Sequence, residues 1–92
     1  MDTATMLAAL KIDLGITTNA YDSRLEQYLA AAAEYIEREG ITLNESMVSD
    51  GNLQVMYAAY LWRKRDTGQG MPRMLRWHLN NRLFSEKVGQ NG

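Results

Sequence analysis

The chain has 92 residues and contains no cysteine, one histidine, one proline and one phenylalanine. The absent thiols exclude a disulfide scaffold and a thiolate metal site, and they agree with a reducing cytoplasm. His78 is the one histidine. It has no second histidine with which to hold a metal, and no serine or aspartate is linked to it as in a hydrolase triad. It reads as a surface or interface residue. No stretch of useful length alternates apolar and polar residues, and there is neither an internal repeat nor a low-complexity tract. The N-terminus has no basic region, and its apolar run is interrupted by Lys11 and Asp13. No signal peptide or membrane span is expected, so the protein is read as intracellular, or as acting inside the particle that contains it.

Catalytic chemistry finds no foothold either. Glu26, Glu34 and Glu37 fall on the outward side of a helix, where solvation is their ordinary role. A glycosidase-like pair needs a cleft that holds two acids at a set separation. Gly68-Gln69-Gly70 follows a helix instead of a strand and no Gly-Lys-Ser/Thr comes after it, so it reads as a helix break and not a phosphate loop. The sequence assigns no catalytic residue, no cofactor-binding residue, no metal ligand and no cofactor.

What is present is helix. The length suits a single domain, residues 1–92, with one modest core. The expected architecture is all-α, a small four-helix bundle with short connectors. The first helix runs from about Thr3 to Leu14, with Leu7, Leu10 and Leu14 on one stripe and Met6 at its edge. Asp2 or Thr3 can cap its start. Gly15 is placed to end it in the left-handed conformation, with Ile16 turned back onto Leu10 or Lys11. The second helix starts at Asp22 or Ser23 and continues to Glu39, and Ser23 with Glu26 fits a capping box. Leu25, Tyr28, Leu29, Ala32, Tyr35 and Ile36 make its apolar stripe. Gly40 ends it, and residues 41–49 form a connector, either a short extended piece or a single helical turn.

The third helix begins at Asp50 or just before it. From Leu53 to Trp62 apolar residues occupy nearly every direction around its axis, and only Gln54 interrupts them. Such a helix is surrounded on several sides, so it is the centre of the bundle or is partly covered by another chain. Its last turn carries Arg63, Lys64 and Arg65, where the helix dipole favours positive charge. Pro72 restarts the chain into a fourth helix that reaches about Lys87, and residues 88–92 read as a flexible, frayed tail.

That fourth helix has two apolar faces. Leu75, Leu79 and Leu83 repeat on one side, and Met74, Trp77 and Phe84 lie on another. A small bundle needs only one stripe per helix for its core. The second face is either buried within the monomer or is a protein–protein interface, where Trp, Met, Phe and Arg are enriched. Met74, Trp77 and Phe84 are the candidate interface, with Arg76 and Arg82 as its charged rim. Arg63, Lys64, Arg65 and Arg73 form a candidate basic patch. An alternative reading takes Arg73, Arg76 and Asn80 as base readers of a helix-turn-helix-like DNA-binding protein that uses the Pro72–Lys87 helix.

Charge is divided unevenly along the chain. Residues 1–50 carry nine acidic and three basic side chains, and residues 51–92 carry two and seven, for a net charge of -1. This division suits a dipolar protomer whose acidic flank meets the basic flank of a copy of itself. A weakly acidic protein lacks the accumulated Lys and Arg that drive nonspecific DNA binding.

A dispersed set of segments carries a family resemblance. These are Leu14-Gly15-Ile16, Tyr21-Asp22-Ser23-Arg24-Leu25, Tyr28-Leu29-Ala30-Ala31-Ala32 leading into Tyr35-Ile36-Glu37, and Val55-Met56-Tyr57-Ala58-Ala59-Tyr60-Leu61-Trp62-Arg63-Lys64-Arg65. In these the chain resembles the head–tail connector (adaptor) proteins of tailed bacteriophages and prophages. Met71-Pro72-Arg73-Met74-Leu75-Arg76-Trp77 and Leu79 to Lys87 look like the ending of a Gram-positive prophage subgroup. Family members often have a longer segment where residues 41–49 are compact here, so no loop function is carried over to them. The resemblance implies an all-α structural protein without enzymatic activity or cofactor. It implies a ring of identical subunits, a dodecamer in the virion, that docks beneath the portal protein after DNA packaging. The ring extends the DNA channel without binding DNA specifically and presents a platform to the next neck or tail-completion protein. No membrane is involved. The expected location is the head–tail neck of the virion, and the host cytoplasm during assembly.

Overall fold

A computed structural model describes residues 1–91. Its four helices are α1 (Thr3–Leu14), α2 (Asp22–Arg38), α3 (Val48–Thr67) and α4 (Arg73–Asn91). No strand occurs among the described residues. The all-α expectation holds, and the helix boundaries follow from local chemistry.

The Asp2 side chain caps α1 by accepting from the Thr5 backbone N–H at 2.7 Å. Gly15 takes φ 70° past the end of α1. Its N–H donates to the Ile12 carbonyl, and the Ile16 N–H donates to that of Lys11. This is the paired bonding of a Schellman motif, read correctly from Leu-Gly-Ile.

The start of α2 departs from the expected capping box. Tyr21 occupies the cap position and no side chain bonds there. The preceding loop is instead shaped by a tertiary contact: Lys11 reaches from α1 to Asp22 at 2.9 Å and to Asn19 at 2.8 Å. That pull places Asp22 in the first turn, and Ser23 lies inside the helix and not at its cap.

Of the expected 41–49 connector, residues 48 and 49 already belong to α3, and residues 41–47 form no helix and no paired strand. They run irregularly into a turn at Glu45 and Ser46, held by the Asn44 side chain, which accepts from the Ser46 N–H at 2.9 Å and its hydroxyl at 2.7 Å. Ile41 inserts into the core from this connector.

The helix α3 is the centre of the fold, and α1, α2 and α4 all pack against it. This is the physical consequence of its continuous apolar run: each direction needs a cover. Leu10 from α1, Leu25, Leu29 and Ile36 from α2, Ile41, and Leu75 and Leu79 from α4 are fully buried around it. The Cα trace is a slab of 45 × 28 × 17 Å.

The last helix starts one residue later than expected. The Pro72 carbonyl accepts from the Arg76 N–H at 3.1 Å, so Pro72 stands just outside the helix. Its end also differs: α4 continues through Asn91, so residues 88–91 are helical instead of frayed, and Gly92 lies outside the described residues. One internal glycine, Gly89, weakens a helix by about 1 kcal/mol without being obliged to stop it.

Candidate interface surface

What faces outward on α4 is decided by how α4 is held. Its leucine side supplies Leu75 and Leu79 to the core, with Leu83 half-buried beside them. Leu83 packs at Gly40, where an added Cβ would lie 3.3 Å from its Cδ1. Gly40 also has φ 103°, so the position suits glycine on both conformational and steric grounds.

A polar clamp completes the attachment. Asp50, in the first turn of α3, is 2% exposed. It accepts from Arg82 Nε at 2.8 Å and from Arg82 Nη2 at 3.1 Å. Its other bond comes from the Asn44 backbone N–H at 2.9 Å. Arg82 also donates to the Thr42 carbonyl at 2.8 Å and to Glu86 at 3.0 Å. One buried carboxylate and one guanidinium thus tie α3, the connector and α4 together. Burial pushes the Asp50 carboxyl up, but Arg82 and the Asn44 N–H outweigh it and hold it below the ordinary aspartate value. The Arg82 guanidinium is correspondingly raised, chiefly by Asp50.

This corrects the expected rim. Arg82 does not edge an outward face, because its guanidinium is spent inside the protomer. Arg76 is intermediate in character: it is partly exposed, but it makes a two-pronged pair with Glu39 at 2.8 and 3.0 Å. That pair joins α4 to the end of α2. The sequence carries no local sign of either bond, since the partners lie 32 and 37 residues away.

With α4 fixed in this way, Met74, Trp77 and Phe84 point to water, at 61%, 57% and 69% exposure. Val88 extends the same face and is also exposed. The possibility that both α4 faces are buried within the monomer is therefore removed. Trp77 touches the neighbouring His78 ring edge-on at 5.0 Å. The second tryptophan shows the contrast. Trp62 is half-buried, edge-on to Tyr21 and Tyr28, with Arg65 stacked over its ring at 3.9 Å.

Arg63, Lys64 and Arg65 point in different directions. Consecutive helical positions point about 100° apart. Arg63 accordingly reaches the Asp13 carbonyl, Lys64 lies over Tyr60, and Arg65 covers Trp62. Arg73 opens α4 and is exposed. Of the residues named for base reading, Arg76 is occupied by Glu39 and, at 3.4 Å, by Asn80.

The described residues contain no cluster of three or more His, Asp or Glu side chains able to hold a metal ion. None of the described helices is long and apolar enough to cross a membrane.

An all-α protomer with a central apolar helix and a solvent-facing aromatic stripe can be set beside known proteins. Residues 4–65 match the family described as Phage gp6-like head-tail connector protein. The chain belongs to this family. The matched region takes in α1, α2 and α3 up to its basic turn, and α4 lies beyond it. No curated protein and no solved structure matches the chain. Membership makes the protein a structural component of a phage, with other head or tail proteins as its neighbours, and it points to the virion as its location. The connector family thus accounts for the bundle, while the exposed stripe lies on the helix that the family match does not reach.

Proposed function

We propose that the protein is a head–tail adaptor that assembles as a ring, a dodecamer in the virion, beneath the portal protein at the capsid vertex. The ring extends the DNA channel and offers its far side to the next neck protein. The observation that carries this reading is the Met74–Trp77–Phe84 face, left in water on a helix whose other side is already satisfied. A connector-family chain with a spare aromatic surface has the anatomy of a subunit awaiting partners. The uneven charge along the chain supports head-to-tail contacts, and a net charge of -1 suits a channel that passes DNA without gripping it. The reading assigns no catalytic step and no cofactor. It places the protein in the neck of the virion, and in the host cytoplasm during assembly.

The test is Trp77→Ala. Helical content by circular dichroism should stay at the wild-type level, while ring assembly or capture by portal rings is lost. A Trp77→Ala protein that melts as a monomer contradicts the assignment. The DNA-reading alternative predicts duplex affinity that falls steeply with salt and drops in Arg73→Ala. It has less geometric support, because Arg76 is bound to Glu39.

A further inference from the structure

We propose that the outward face of α4 seats in an acidic concavity on a second copy of the chain, at the meeting of the α1 start, the end of α2 and the connector. This rests on the ring reading above and names the surface that receives α4. Met74, Trp77, Phe84 and Val88 fall at the spacing of a helix–helix seam, with Asn81 between them. The charges that flank this seam are cationic. Arg73 and Lys87 are exposed and make no ion pair among the described residues. The one acid of α4, Glu86, is turned inward onto Arg82. Two such faces laid against each other would oppose cation to cation, which disfavours a two-fold α4–α4 contact. The receiving surface must be acidic with an apolar floor.

One concavity meets that description. It measures about 350 Å³ and sets Asp2, Glu37 and Glu45 around Met6, Ala33 and Leu43. Glu37 and Glu45 make no ion pair among the described residues. Hydrogen bonds from Thr5 hold the Asp2 carboxyl below its ordinary value, so it stays charged. The one cation there is the Met1 ammonium, which donates to the Glu45 carbonyl, and the concavity remains net negative. Its mixed polar and apolar lining suits an indole, whose ring is apolar and whose N–H seeks an acceptor. The concavities beside α4 balance their charges internally, Asp50 against Arg82 in one and Asp13 with Arg63 in the other.

The donor and receiver surfaces share no residue. One copy can therefore give its α4 to one neighbour and receive the α4 of another, which is the heterologous contact that closes into a ring.

The experiment is sedimentation velocity on three proteins, alone and with portal rings, at low and high salt. They are the wild type, an α4 variant Arg73→Glu/Lys87→Glu, and a concavity variant Glu37→Lys/Glu45→Lys. All four positions are exposed, and circular dichroism checks that each protein stays helical. Wild type should self-associate, more strongly at low salt. Each variant alone should associate about tenfold more weakly or less, as expected when complementary charges become like charges. An equimolar mixture should recover association, because the reversed α4 of one meets the reversed concavity of the other. If wild type associates but the variants do so equally, or their mixture stays dispersed, this pairing is wrong while the ring reading stands. If wild type stays a monomer even with portal rings, the ring reading falls and the pairing falls with it.

Discussion

Trp62 and Trp77 sit on successive helices, yet the protein treats them differently. Trp62 is edge-packed by Tyr21 and Tyr28 and roofed by Arg65. Trp77 has one aromatic ring contact, with its neighbour His78, and more than half of its surface is in water. The difference extends to the regions around them. In α1, α2 and α3 most large apolar residues find cover around Leu10, Leu29 and Ile36, and the exposed exceptions, Ile12, Tyr35 and Val48, are scattered over three helices. In α4 only the Leu75–Leu79–Leu83 side does so. The family match covers the first region and stops before the second. The body of the protomer is therefore organised for folding. One side of α4 belongs to that body, and the other is left exposed and is the side we propose for contact.

The comparison breaks most readily at its core. Leu29→Ala or Leu79→Ala should each cost roughly 2–5 kcal/mol, because a fully buried side chain is lost and the space closes only in part. Urea unfolding followed by circular dichroism measures this. If Leu79→Ala cost as little as a surface substitution, α4 would not be part of the folded body at all.

The clamp comes next. Arg82→Ala leaves Asp50 buried without its cation, and a loss of about 2–3 kcal/mol is expected, discounted from a fully buried pair because Arg82 keeps some exposure. Its pH dependence sharpens the prediction. The Asp50 carboxyl is held low in the folded protein, so its contribution is present above the unfolded aspartate value of about 3.9 and is lost as pH falls below it. Removing Arg82 leaves burial as the main influence and drives the carboxyl up. Stability of Arg82→Ala should then rise on mild acidification, whereas the wild type, whose Asp2, Asp50 and Glu86 carboxyls are all held low, should begin to lose stability toward pH 4. Unfolding midpoints between neutral pH and pH 4 decide the sign.

The smallest stability effect belongs to the outward face. Trp77→Ala should change unfolding free energy by less than about 1 kcal/mol, since the ring is more than half exposed. Set beside Leu79→Ala, two residues away on the same helix, this is the most economical measure of the two faces.

Much of this was legible in the residues. Asp2, Gly15 and Ile16 announce the ends of α1 through local hydrogen bonding, and the unbroken apolar run of α3 announces its central place. The two apolar faces of α4 were also visible as spacing. The residue types also pointed to the leucine side as the one that packs, but spacing could not show the polar attachment, in which Arg82 meets Asp50 and Arg76 meets Glu39 across the fold. The same limit explains the start of α2. Ser23 and Glu26 satisfy a local motif, yet Lys11 and Asp22, eleven positions apart, set the loop. Local signals show where helices exist and which side of the last one is apolar; the ion pairs that pin it to its neighbours are long-range.

The central claim is that the outward side of α4 serves assembly and not folding. Light-scattering mass of wild type and Trp77→Ala, each mixed with portal rings at matched helical content, tests it most directly. Wild type should add mass to the ring while Trp77→Ala remains at the 10.5 kDa of a free protomer. Equal binding by the two proteins would contradict the account.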